Sequence, residues 1–339
     1  MIDRLRRLAK DWFLVGMIGA VVLATAFPDV GRSGGPLHLD VVGDVGIFGI
    51  FFFHGLALSR DRLRAGMMRW KLHVIVQAMT YVVFPLLGVV LALAFGRFLP
   101  EHLLLGFFFL CALPSTISSS VAMTAVARGN VPGAIFNATL SSLIGIFATP
   151  LLVSVWTSTS GQALSVGRAV LDIATMLLLP IVLGQLLRPV LGAWFQRYHR
   201  YANAFDKLVI LLLVYVSFSD SVRAGLWTEH GAEVLALAVV GAAAILAVVL
   251  ATSTRLARLV GLDKEDEIAA VFCGSKKTLA SGVPMAKLIF GAHPGLGLIV
   301  LPIMFYHQLQ LFVCSILAER YARRSLGAEL HARAVPSQE

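Results

Sequence analysis

Lys276 and Lys277 stand side by side inside the apolar run 266–290, in the stretch Gly274-Ser275-Lys276-Lys277-Thr278-Leu279-Ala280-Ser281-Gly282-Val283-Pro284. Both lie about ten residues into that run, roughly 15 Å deep if it is a helix crossing a bilayer. A charge at such depth costs about 2.5–3.5 kcal/mol on insertion scales unless it is paired or hydrated. Three chemistries compete. An ammonium can fill the place of a metal cation among polar groups. It can bind the anionic group of a solute, helped by helix N-termini. It can also snorkel into a watery cleft without further role. A second polar interruption lies in the run 102–127, where Pro114, Ser115, Thr116, Ser118, Ser119 and Ser120 break an otherwise hydrophobic segment. Serine beside lysine is also a hydrolase pairing, with a desolvated lysine as base. No oxyanion-binding motif accompanies these serines, so the reading is non-enzymatic.

The elements that must carry these residues are apolar. Of 339 residues 58 % are hydrophobic and 14 % charged, with mean hydropathy +0.83. Soluble domains are about a quarter charged, so an ordinary soluble enzyme is excluded, as are disorder and a disulfide scaffold. Apolar runs fall at 12–27, 41–59, 72–95, 102–127, 131–156, 166–187, 205–222, 233–254, 266–290 and 295–318. Each suffices to cross about 30 Å of hydrocarbon. The basic residues cluster in alternate connections, twenty-one on one side against five (Arg32, Arg97, Arg168, Arg223, Lys287) on the other. The positive-inside rule then puts both termini in the cytoplasm and makes the number of spans ten. Arg4, Arg6, Arg7 and Lys10 before the first run imitate a secretory signal, but the run is read as an uncleaved first span. The net charge of +9 follows topology and leaves no basic groove, so nucleic acid is not an expected partner. Cys111, Cys273 and Cys314 have no paired spacing and are read as packing residues, and no metal site is expected.

The two interruptions occupy the fourth and ninth spans. Their separation by five spans implies two five-helix repeats of opposite orientation, 1–160 and 161–322, followed by a cytoplasmic tail, 323–339. Broken helices at matching positions of inverted halves point to a transport site at the midplane. Pro114, Gly282 and Pro284 are the expected helix-breaking residues.

Smaller expectations attach to other polar residues. His54 and His307, in the second and tenth spans, are read as satisfied by backbone carbonyls rather than as proton carriers. Of Gln308 and Gln310 at most one faces the core. Asp263-Lys264-Glu265-Asp266-Glu267 reads as the acidic cap of the ninth helix rather than a calcium site.

The Pro-Ser-Thr…Ser-Ser-Ser break, Ala127-Arg128-Gly129-Asn130 after it, and the Gly-Ser-Lys-Lys-Thr-Leu-Ala stretch with Gly-Val-Pro resemble the bile acid:sodium symporter superfamily, in its SBF-like branch. The resemblance covers roughly residues 10–320. It implies a panel domain (spans 1, 2, 6 and 7), a core domain (spans 3–5 and 8–10) and crossed broken helices. Carried over, Ser119 and Ser120 match the fourth-span sodium ligands, Asn137 the fifth-span ones and Gln77 a third-span glutamine. In the ninth span the match breaks. Ser275 or a neighbour stands where sodium-coupled members have glutamate, and about Leu279 where they have glutamine.

The expected protein is an all-α polytopic membrane protein of ten helices. It would carry a small organic anion by alternating access, around Gln77, Ser118, Ser119, Ser120, Asn137, Ser275, Lys276, Lys277 and Thr278. A midplane lysine would replace the coupling cation. No cofactor is expected, and sodium or a proton is left open as the coupling ion. The alternatives are a sodium-coupled symporter with shifted ligands and a non-transporting regulatory membrane protein. Its expected location is the bacterial inner membrane, with the lipid bilayer as partner and no oligomeric state assigned.

Overall fold

The computed structural model describes residues 12–57, 67–159, 166–291 and 293–334. The N-terminal basic cluster, Arg60, Arg62, Arg64 and the end of the expected tail lie outside the described residues. Among the described residues every regular element is helical. In order they are α1 (Trp12–Ala26), a single turn Pro28–Gly31, α2 (Leu39–Ala57), α3 (Trp70–Ala78), a π-helical turn Met79–Val83 and α4 (Phe84–Phe95). There follow α5 (Glu101–Ala112), α6 (Ile117–Val126), α7 (Val131–Thr159), α8 (Val166–Arg223), α9 (Leu226–Leu259), α10 (Lys264–Gly274), α11 (Leu279–Phe290) and α12 (Leu296–Ala334).

Among the described residues six helices are long and apolar enough to cross a membrane, and a seventh span results if α5 and α6, bent by 58° at their break, count as one. Apolar side chains such as Val45, Leu93, Val190 and Leu186 are exposed around the outside, as lipid-facing positions require. The chain is therefore a polytopic membrane protein.

The basic connection expected between the sixth and seventh spans is helical rather than a loop, so that helical residues fill all 58 positions of α8. A straight helix of that length would measure about 87 Å. Contacts with α2 exclude a straight path. A side chain at Gly55 would meet the Ile181 backbone, whereas six residues earlier Gly49 faces Phe205. Six residues of α2 rise about 9 Å, while 24 residues of straight helix would rise about 36 Å. The polypeptide of α8 therefore doubles back between Ile181 and Phe205, and both arms flank α2. Gly55 and Gly184 are what let α2 and the first arm touch. Any Cβ at Gly184 would collide with the Phe52 carbonyl, the small-residue approach that membrane helices use. α12 continues to Ala334, into the segment expected to be a tail.

The breaks follow from local chemistry. Leu113 precedes Pro114 and is extended (φ −70°, ψ 154°), as a pre-proline residue prefers. Thr116, also extended, then precedes α6. In the ninth segment the interruption is confined to Ser275–Thr278. The Thr278 hydroxyl accepts from Ser281 N and starts a new helix there. Gly282 and Pro284, expected to share the interruption, lie inside α11 instead, because this cap begins the helix upstream of them. Asp263 caps α10 by accepting from Asp266 N at 2.8 Å, as its position in the acidic run led us to expect.

Candidate functional site

The two interruptions meet in the buried interior. Thr278 N donates to Pro114 O at 3.1 Å, Ser115 Oγ to Cys273 O at 2.6 Å and Ser120 Oγ to Phe272 O at 3.2 Å. The break at Leu113–Thr116 is held from α7. Ser141 Oγ accepts from Ser115 N (3.0 Å), Thr149 Oγ1 donates to Ala112 O (2.8 Å), and Tyr81 in the π-turn bonds to Ser141 O. The break at Ser275–Thr278 is held from α12. Gln310 accepts from Lys277 N and donates to Lys277 O (2.9 and 2.8 Å), and Tyr306 Oη donates to Ser275 O (2.6 Å). Each unwound segment thus has freed backbone groups paired by polar side chains of the helix that follows its broken pair, α7 for the first and α12 for the second, as a dry interior demands.

Lys277 is fully buried. Its ammonium donates to three backbone carbonyls, Thr80 O (3.0 Å), Cys111 O (2.9 Å) and Leu113 O (2.5 Å), and lies 4.0 Å from the centroid of the Phe84 ring. Three donors meet three acceptors, and the aromatic face closes the fourth side. Why those carbonyls are free can be read from the chain. In the π-turn Phe84 N bonds to Met79 O, five residues back. The next amide, which would serve Thr80 O, belongs to Pro85 and has no N–H. Cys111 and Leu113 stand at the end of α5, where carbonyls lack intrahelical partners and the helix dipole is negative.

Lys276 is equally buried but differently engaged. Its Nζ donates to Ser119 O at 2.8 Å and lies 5.7 Å from the Phe272 ring centroid.

The other expected site residues divide. Ser119, Ser120, Ser275, Thr278 and Pro114 join the lysines at the junction; Ser275 Oγ donates to Val271 O (2.6 Å). Gln77 and Asn137 form a second pair, Gln77 Nε2 donating to Asn137 O at 3.2 Å, while Asn137 Nδ2 donates to Gly133 O. Gln77 Oε1, Ser119 Oγ and Thr116 Oγ1 are buried with no hydrogen-bond partner among the described residues. Ser118 points elsewhere, into a cavity of about 290 Å³ that neither lysine lines. The sequence reading missed Tyr306, Phe84 and the carbonyl of Thr80; Pro85, five residues after Thr80, was the one signal for the last. It also took His54 for a histidine satisfied by a carbonyl, whereas His54 Nε2 faces Asp206 Oδ2 at 3.6 Å.

Around the ends of these helices run ion pairs. Arg69 reaches Asp263 (3.0 Å) and Asp266 (3.4 Å), and Glu267 accepts from Arg258 and Lys264 (3.2 and 2.8 Å). The carboxylates of Asp263, Asp266 and Glu267, three of the four in the acidic run, are thus engaged by basic side chains. Where the chain leaves α11, Lys287 Nζ in its last turn bonds to Asp40 O and Asp44 Oδ1 of α2, both at 2.7 Å.

Apolar helices broken in two places, with the breaks joined at a dry polar centre, define a membrane protein of the transporter type. The chain belongs to the SBF-like CPA transporter family, whose model matches residues 11–323. It is 46 % identical to the uncharacterised Pseudomonas aeruginosa protein PA2026 over 318 residues, covering 94 % of this chain and 95 % of that one. It is 41 % identical to Escherichia coli YfeH, whose name proposes it as a symporter, over 93 % of this chain and 94 % of that one. The zebrafish Danio rerio protein named sodium/bile acid cotransporter 7 is 31 % identical, over 92 % and 93 % of the two chains.

Proposed function

We propose that the protein is a secondary-active transporter that carries a small organic anion by alternating access, and that the Lys277 ammonium stands where a sodium-coupled relative would hold its cation. The observation that carries this reading is the three-carbonyl seat of Lys277 at the junction of the broken helices. Convergent carbonyl oxygens at helix breaks are the kind of group that binds sodium in transporters. Here a tethered cation occupies them, so transport needs no sodium. Both lysines are sealed from the cavity, which favours the cation-replacing role over direct binding of a substrate anion.

Ten spans in two inverted repeats fit the helices. α1, α2, the α3–α4 pair and the α5–α6 pair give four and α7 the fifth. The two arms of α8, α9, the α10–α11 pair and α12 give five more. The cavity lies between α2 and α8, which would be the panel, and α6, α7 and α11, which would belong to the core. Lys287 bridges the same two groups at the other end of α2. A cavity at one end and an ion-paired seal at the other are what one state of an alternating-access cycle requires. Apolar helices of this kind belong in a bacterial inner membrane rather than an outer one, whose spanning proteins are β-barrels, and the charge bias puts both termini in the cytoplasm. An organic anion is favoured because a relative is named for bile acid cotransport.

The test is counterflow of radiolabelled taurocholate in proteoliposomes, run in sodium and in potassium buffer. Equal exchange in both supports the reading. Exchange that requires sodium overturns the cation-replacing role, and absence of exchange overturns the choice of a bile-acid-like anion.

A further inference from the structure

If Lys277 occupies the cation seat, the driving ion must bind elsewhere, and the cavity offers one place. Its wall contains two ionisable side chains among the described residues, His54 from α2 and Asp206 from the second arm of α8. The remaining polar wall is neutral, with Ser118, Thr139, Asn203 and Ser281 among its residues. His54 Nε2 and Asp206 Oδ2 are 3.6 Å apart, near enough for an ion pair and too far for a direct hydrogen bond. Their side chains are 29 % and 17 % exposed, so water reaches the pair. Asp206 Oδ1 is buried without a hydrogen-bond partner among the described residues. The neighbouring charges are turned away. Lys207 lies over the Trp12 and Phe13 rings (5.2 and 5.5 Å), Lys287 is bonded to Asp44, and Lys276 and Lys277 are bonded within the junction. Around the imidazole itself, Phe51 presents its ring at 5.8 Å in an edge geometry.

The electrostatic consequence is direct. With neutral imidazole and ionised carboxylate the cavity carries one negative charge and repels an anion. One proton on the pair, held by His54 Nε2 toward Asp206 Oδ2, makes the pair neutral overall and presents an imidazolium to the cavity. An anion and a proton therefore favour one another's binding, and thermodynamic linkage makes that preference mutual. We propose that the His54–Asp206 pair is the proton site of this cavity, taking up one proton together with a carboxylate- or sulfonate-bearing substrate. The proposal rests on the transport reading above and names its coupling ion.

The experiment has two arms on the purified full-length protein in detergent. The first is a difference proton titration in weak buffer from pH 5 to 9, comparing wild type with Asp206→Asn and with His54→Gln. The second is taurocholate binding by equilibrium dialysis over the same range. Expected are a deficit of about one bound proton per chain in His54→Gln, a displaced uptake in Asp206→Asn, which keeps the imidazole but loses its carboxylate partner, and wild-type affinity that rises with acidification by at most about tenfold per pH unit. Binding by His54→Gln should be nearly independent of pH and close to the alkaline wild-type value, and Asp206→Asn, whose cavity is neutral without the proton, should bind at alkaline pH about as well as acidic wild type. Titrations of wild type and His54→Gln that coincide, or a His54→Gln protein that keeps the wild-type pH dependence, would overturn the proposal. A wild type that binds no taurocholate at any pH sinks the bile-acid-like substrate instead, and the titration arm alone then decides the pair.

Discussion

Replacing Lys277 by methionine keeps an unbranched apolar stem, shortens it by one atom at the position of the ammonium nitrogen, and removes its charge and donors. The wild-type ammonium gives three charge-assisted hydrogen bonds, to Thr80 O, Cys111 O and Leu113 O, and faces the Phe84 ring. Bonds of that type contribute about 1.5–3 kcal/mol each, against several kcal/mol for desolvating the ammonium. The variant no longer bears the desolvation cost but leaves three carbonyls facing a thioether, and each buried unsatisfied acceptor costs about 1–3 kcal/mol. The net expectation is a loss of about 3–5 kcal/mol in potassium chloride, the range for removing one side of a buried charged contact. The vacated seat, however, is a ring of oxygens that suits a small hard cation. In sodium chloride the variant should recover about 2.7 kcal/mol once sodium reaches a hundred times its dissociation constant. Thermal unfolding in detergent, titrated with NaCl against KCl at fixed ionic strength, reads this directly. Wild type should be indifferent to the choice of salt. Lys276→Met, which gives up a single bond to Ser119 O, should lose about 1–3 kcal/mol and show no sodium response. Saturable stabilisation of wild type by sodium would refute the reasoning, as would a Lys277→Met protein as stable as wild type in both salts.

Three further outcomes follow from the packing and the helix ends. Lys287→Ala removes the bridge to Asp40 O and Asp44 Oδ1; a single cysteine at Ile47, buried in wild type beside a second cavity, should react several-fold faster with a membrane-impermeant maleimide in the variant, and unchanged labelling would speak against a seal. Gly184→Leu forces a side chain against the Phe52 carbonyl and should cost about 2–3 kcal/mol, seen as a lower unfolding temperature, with Gly184→Ala intermediate. His293, in the turn before α12, has its pKa lowered by burial first and then by the neighbouring His102. A histidine that titrates lower when folded contributes stability fully present above its unfolded value of about 6.5 and lost as pH falls below it. Wild type should therefore lose stability between pH 7 and 5, and His293→Asn should lose less; equal slopes for both proteins would exclude this histidine as a cause.

What the sequence disclosed and what it withheld divide along one physical line. Pro114 and the hydroxyl residues after it were legible because proline constrains its own neighbourhood whatever the rest of the fold does. The lysines were legible because a charge in the middle of an apolar run is conspicuous by composition alone. Their partners were not. Lys277 bonds to carbonyls 164, 166 and 197 residues away, and a carbonyl is the one functional group that every residue carries, so no side-chain pattern advertises it. The helical connection inside α8 was hidden for a related reason. Clustered arginines report the side of the membrane on which a segment lies, not its secondary structure. His54 and Asp206 stand 152 residues apart at no meaningful spacing, and only the doubling back of α8 against α2 brings them together. The one exception is instructive. Pro85 removes the amide that would have served Thr80 O, and it does so from within the π-turn's own register. A proline placed to free a carbonyl, together with a lysine placed at a helix break, is a pair of local signals for a distant contact. If the Lys277→Met protein does accept sodium, then Pro85→Ala should weaken that acceptance. The restored amide at residue 85 would compete with the ion for the Thr80 oxygen.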